Sequence, residues 1–221
     1  MAASERRQVQ QQLKQPDPFF EAIAEAREYF EENRSKVLGI GGGAVALFLV
    51  VVGASSWYVS QGRAASTSFE SAISNLEANA PGPAEADLQT IPDRTNAGPY
   101  KALSLLYRGN IAAAGARYEE AVTDYDQFIA VAPTDYLRQV ALMGKAAALE
   151  KNGKAPVAAA ALDQAASIDG PYRKAALEDR ARLAEAAGDK SAAIASLQKL
   201  LEIEGSTGDS SQIEHRIQAL K

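Results

Sequence analysis

The sequence predicts an all-α protein: one N-terminal membrane-crossing helix followed by a short stack of helical hairpins. Three observations carry this. Residues 37–59, VLGIGGGAVALFLVVVGASSWYV, contain no charged residue. Beyond residue 100 the chain is rich in alanine and leucine, with apolar residues recurring at helical spacing. Turn glycines Gly153 and Gly188 lie 35 residues apart, each between two helical patterns of the same layout.

Composition sets the outer limits. The 221 residues, with a formal charge of −5, no Cys, two Met and one His, fit one anchor and one further domain. A phosphate-binding face needs clustered Lys and Arg, and no such cluster follows Lys36, so nucleic acid is not an expected partner. Without cysteine there is no disulfide framework and no thiol chemistry.

The first elements read in order. Residues 1–16 are polar and glutamine-heavy, with nothing to bury, and are expected to be disordered. Asp17-Pro18 supplies an N-cap followed by proline at the first helical position. The resulting helix, over 17–36, gathers Phe19, Ile23, Ala26 and Phe30 on one face, with Glu21, Glu25, Glu28 and Glu32 largely off it. Its acidic face would be repelled by anionic lipid. It is expected to steady the approach to the membrane or to offer a cytoplasmic docking site.

Residues 37–59 form the anchor. At about 1.5 Å per residue such a helix spans roughly 30 Å, the thickness of a bilayer's hydrocarbon core. Arg27, Arg34 and Lys36 precede it and only Arg63 closely follows it, so the positive-inside rule puts the N-terminus in the cytoplasm. A cleaved signal peptide fits less well, because the preceding arm and the apolar stretch are both too long. Within the anchor Gly39 and Gly43 stand four apart, as do Gly42 and Ala46, a spacing that lets helices pack closely in lipid. The GIGGGA string lacks the preceding strand and following lysine of a nucleotide loop.

Residues 60–99 are expected to hold a linking helix and a connector. Thr67 and Glu70 form a capping box opening a helix through about Asn79. Pro81, Pro83, Pro92 and Pro99 then punctuate the connector.

Residues 100–221 carry the repeat. In ALSLLYRGNIAAAGARYEEAVTDYDQFIAVAP, the residues Gly109, Tyr118, Ala121, Tyr125 and Pro133 fall at positions that define a tetratricopeptide repeat of about 34 residues. Gly109 and Ala121 are small where the two helices touch, Tyr118 and Tyr125 fill the gap to the next pair, and Pro133 stops the second helix. A second copy turns at Asn152-Gly153, with Ala146 and Ala158 in register. The third turns at Gly188-Asp189, with Ala181 and Ala193. A last helix over 209–221, with Ile213, Ile217 and Leu220 on one face, caps the stack. The expectation is therefore a three-repeat tetratricopeptide α-solenoid with a capping helix.

No catalytic constellation is found in the sequence, and no cofactor is implied. The single histidine, His215, sits beside Glu214 in the capping helix and has no second histidine or cysteine with which to hold zinc. The Ser55-Ser56 pair lies inside the apolar segment, and Glu119 and Glu120 lie near Arg117 as a solvated charged face. A non-enzymatic binding protein is expected. Its groove should be lined by the first helix of each repeat: Leu103, Leu106, Asn110 and Ala113, then Val140, Met143, Ala147 and Glu150, then Ala175, Glu178, Arg182 and Glu185; the alternative is that several of these pack against the helix over 62–79. Such a groove grades from apolar to charged, and its apolar end suits extended or unfolded segments. The residues of a carboxylate clamp are absent apart from Asn110.

The order of parts resembles the YfgM-like family of ancillary Sec-translocon subunits: a short cytoplasmic arm, one membrane helix, a linking helix and a small periplasmic tetratricopeptide domain. The likeness runs from Asp17 to Lys221. It implies a chaperone-like adaptor of the bacterial inner membrane, with its C-terminal domain in the periplasm. The partners implied are the Sec translocon, a membrane-anchored prolyl-isomerase-type chaperone and translocating chains. The alternative is a scaffold organising an envelope or cell-division complex.

Overall fold

A computed structural model describes residues 18–204 and 210–221. The arm over 1–16, the cap at Asp17 and the start of the last helix at Asp209 lie outside the described residues. Among the described residues there are ten helices and no strand, and the chain divides into two compact units between Trp57 and Tyr58.

The first unit holds α1 (Pro18–Glu32) and the opening of α2 (Arg34–Glu77). Asn33 ends α1: its backbone and side-chain N–H groups both donate to the Tyr29 carbonyl, at 2.9 and 3.2 Å. Phe19, Ile23 and Phe30 are exposed, as is the whole apolar run from Leu38 to Trp57. By length and composition α2 is able to cross a membrane, and none of its apolar window is buried by the protein.

In the second unit no helix begins at Thr67. Residues 60–77 are the last turns of α2, because extending an existing helix avoids the cost of a new nucleus. The stretch expected as a connector instead holds α3 (Pro81–Gln89). Proline is accepted in its first turn, where the N–H groups have no intrahelical partner anyway. There follow α4 (Pro99–Ala114), α5 (Tyr118–Val131), α6 (Asp135–Lys151), α7 (Ala155–Ser167), α8 (Arg173–Ala186), α9 (Lys190–Glu204) and α10 (Ser210–Leu220).

Four hairpins share one turn. Asn79, Ala116, Gly153 and Gly188 all adopt left-handed backbone, with φ of 57°, 58°, 73° and 73°. Behind each, an amide reaches back five residues: Ala80 to Asn75, Arg117 to Ala112, Lys154 to Leu149 and Asp189 to Ala184, at 2.8–2.9 Å. This is the Schellman closure of a helix end. The four turns are 37, 37 and 35 residues apart, so the repeat begins one hairpin earlier than the sequence led us to expect.

Small residues set the helix spacing. Ala121, Ala146, Ala158, Ala181 and Ala193 are all buried. In the first hairpin Ala65 and Ala72 of α2 meet Ala84 and Leu88 of α3 in one apolar cluster, and Asp87 accepts from Ser71 at 2.7 Å and Asn75 at 3.0 Å. The loop after α3 folds back so that Asn96 donates to the Tyr58 carbonyl at 3.2 Å. Fully buried Gln139 donates to the carbonyls of Ala165 and Ile168, at 3.1 and 2.8 Å, tying α6 to the end of α7.

Candidate partner-binding surface

The predicted groove residues separate into three fates. Leu106 is a correction: only 6% exposed, it belongs to the core that joins α4, α5 and α6, with Ala102, Leu105, Tyr125 and Phe128. Its cause is geometric, since each first helix is flanked by its own partner and by the next hairpin, which leaves only a narrow solvent stripe. Leu103, Val140 and Met143 are half-buried, Val140 against that same core and Met143 against the clusters around Leu142 and Leu162. Each of these three keeps part of its surface open, whereas Leu106 does not.

Asn110 and Arg182 do reach the surface, but each is engaged. Asn110 Oδ1 accepts from the Tyr125 hydroxyl at 2.7 Å, and burial pushes that phenol up to about 12. Arg182 grips Glu150 with two bonds of 2.8 Å and touches Asp179 at 3.3 Å. The guanidinium holds the Glu150 carboxyl below its ordinary range. Arg216 bonds Glu185 at 2.9 Å in the same manner, so ion pairs link α6 to α8 and α8 to α10. Among the described residues, a side chain beginning at Gly39 or Gly43 would meet nothing within 4 Å beyond the helix's own neighbouring backbone.

Sequence reasoning missed a wide concavity, a cavity of about 550 Å³ between the first and second hairpins. Its walls are Leu76, Pro81, Tyr107, Ile111 and Ala114, with Asn110 on the rim. Also on the lining, Arg117 bonds Glu85 at 2.7 Å, and it reaches Glu120 at 3.3 Å. Nearby on the same two helices, half-buried Arg108 pairs with buried Asp124 at 2.9 Å. Burial outweighs the pull of Arg108 and raises the Asp124 carboxyl above its ordinary value. The signal that could have found the cavity is the 37-residue step back from Gly153 to Ala116 and Asn79.

Comparison with solved structures supplies the fold. A kinesin-light-chain candidate from Podosopora anserina, built of nearly identical TPR-like repeats, superposes with a TM-score of 0.53. It shares 19% sequence identity and covers 70% of this chain and 83% of its own; a singly substituted variant of that protein matches equally. No family model and no curated protein matches the sequence. The second unit is thus a stack of tetratricopeptide-like helical hairpins.

Proposed function

We propose that this chain is a membrane-anchored protein-binding adaptor that works without catalysis. The observation that carries it is the stack itself: four helical hairpins presenting an open apolar cavity. The apolar run of α2 supports an anchor, and the excess of Arg27, Arg34 and Lys36 over Arg63 supports a cytoplasmic N-terminus with the repeats outside the inner membrane. The order of parts supports a chaperone-like role beside the Sec translocon in the bacterial envelope.

The test combines topology with contact. Protease added to cells with a permeabilised outer membrane should digest the repeat domain. Photocrosslinkers at exposed Ala147 and Glu178 should capture translocon subunits and translocating chains. A protected domain reverses the topology. Capture of one fixed envelope complex, with no translocating chains, makes the protein a scaffold instead.

A further inference from the structure

The cavity has a template inside the same molecule. By the 37-residue step between turns, Pro81 and Gly82 at the start of α3 stand where Tyr118 and Glu119 stand at the start of α5. The same step places Ala155 and Pro156 there at the start of α7. Tyr118 is half-buried and packs against the core that contains Ala112 and Ala148, so its ring takes up space at that middle interface. Where proline or alanine replaces the tyrosine, space opens: about 550 Å³ beside Pro81, and about 300 Å³ beside Ala155, Pro156 and Leu183.

The larger opening also has the chemistry of a tyrosine site. Leu76, Ile111 and Ala114 offer an apolar wall, and the Tyr107 ring can meet a second ring edge to face. Tyr107 is itself held in place by Phe69, ring to ring at 5.5 Å. Because Asn110 Oδ1 is occupied by Tyr125, its amide N–H groups remain to donate at the rim.

We propose that this cavity receives an aromatic side chain, tyrosine or phenylalanine, presented by a partner protein, in the role Tyr118 plays within the stack. The inference rests on the reading of the chain as a protein-binding module and names what the partner must present. Buried aromatic anchors of this kind dominate the energetics of protein interfaces.

The test uses the full chain in lipid nanodiscs, with N-acetyl-tyrosinamide and N-acetyl-leucinamide as probes in saturation-transfer NMR and empty nanodiscs subtracted. Tyrosinamide should receive saturation well above leucinamide. The signal should be lost in Pro81→Tyr, which supplies the missing ring from within, and in Ala114→Phe, which blocks the exposed mouth. Pro81→Tyr should also raise the melting temperature. Equal signals from the two probes, or a tyrosinamide signal unchanged in the variant that remains folded, would overturn the proposal. Crosslinks at Ala147 and Glu178 that persist while tyrosinamide fails to bind reject the cavity alone and leave the adaptor reading standing. Loss of all crosslinks with the cavity still binding does the reverse.

Discussion

The ring of Tyr125 occupies the space that a side chain at Gly144 would need: a Cβ there would lie 2.7 Å from Tyr125 Cζ. The same ring also presses on Gly109, where a Cβ would fall 2.9 Å from Cε1. One tyrosine of α5 thus packs directly against glycines of both α4 and α6, and its hydroxyl is secured on Asn110.

Gly144→Ala should therefore destabilise the stack by about 1–3 kcal/mol, the usual cost of overpacking. Tyr125→Phe should lose only the hydroxyl bond, about 0.5–1.5 kcal/mol. Thermal unfolding followed by circular dichroism gives the order directly. A milder effect for Gly144→Ala than for Tyr125→Phe would mean that the ring shifts aside.

A stabilising change is available at the second turn. Ala116 holds a φ of 58°, where Gly153 and Gly188 occupy the same station in the later hairpins. A left-handed alanine carries roughly 1–2 kcal/mol of steric cost. Ala116→Gly should recover part of that and raise the melting temperature, although the freer unfolded chain offsets some of the gain. Gly153→Ala should lower it. Movement of both variants in the same direction would contradict the shared turn.

Two carboxylates give the fold opposite acid responses. Arg182 lowers the folded-state value of Glu150. The pair's stabilisation is therefore complete above the ordinary glutamate range and is lost as pH falls through the lowered value. For Asp124 the folded value is raised, chiefly by burial. Its ionisation opposes folding as pH rises from the ordinary aspartate range through the raised value, so acidification across that window favours the folded state. Glu150→Gln should flatten the acid limb of a stability–pH curve, by no more than about 1 kcal/mol for a partly exposed pair. Asp124→Asn should remove the opposing slope. A curve unchanged in both variants would show that neither group titrates differently on folding.

Most of the hairpin pattern was legible because its signals are local. Gly153 and Gly188 announce left-handed turns, and Ala121 and Ala158 mark close helix contacts. The first hairpin stayed hidden because each of its signals is substituted. Asn79 replaces the turn glycine, and Pro81-Gly82-Pro83 at the start of α3 reads as a loop breaker although a first helical turn accepts it. Leu106 illustrates a different limit. Helical periodicity marks it as apolar but does not say which of two neighbouring hairpins its face meets, and here both α5 and α6 close over it. The cavity could not be read from any single repeat, because it is the difference between Pro81 and Tyr118.

The packing between successive helices bears on how the fold is reached. Among the described residues the main contacts join each helix from α3 onward to its sequence neighbour, with α4 and α6 the one substantial pair a step further apart. Each hairpin then closes over a short loop and docks only on the one already made, so little chain entropy is surrendered before stabilising contacts form. A polypeptide delivered N-terminus first would set the α2–α3 pair before α4 arrived and extend the stack one hairpin at a time. After α9, α10 would be laid over Leu197 and Leu200.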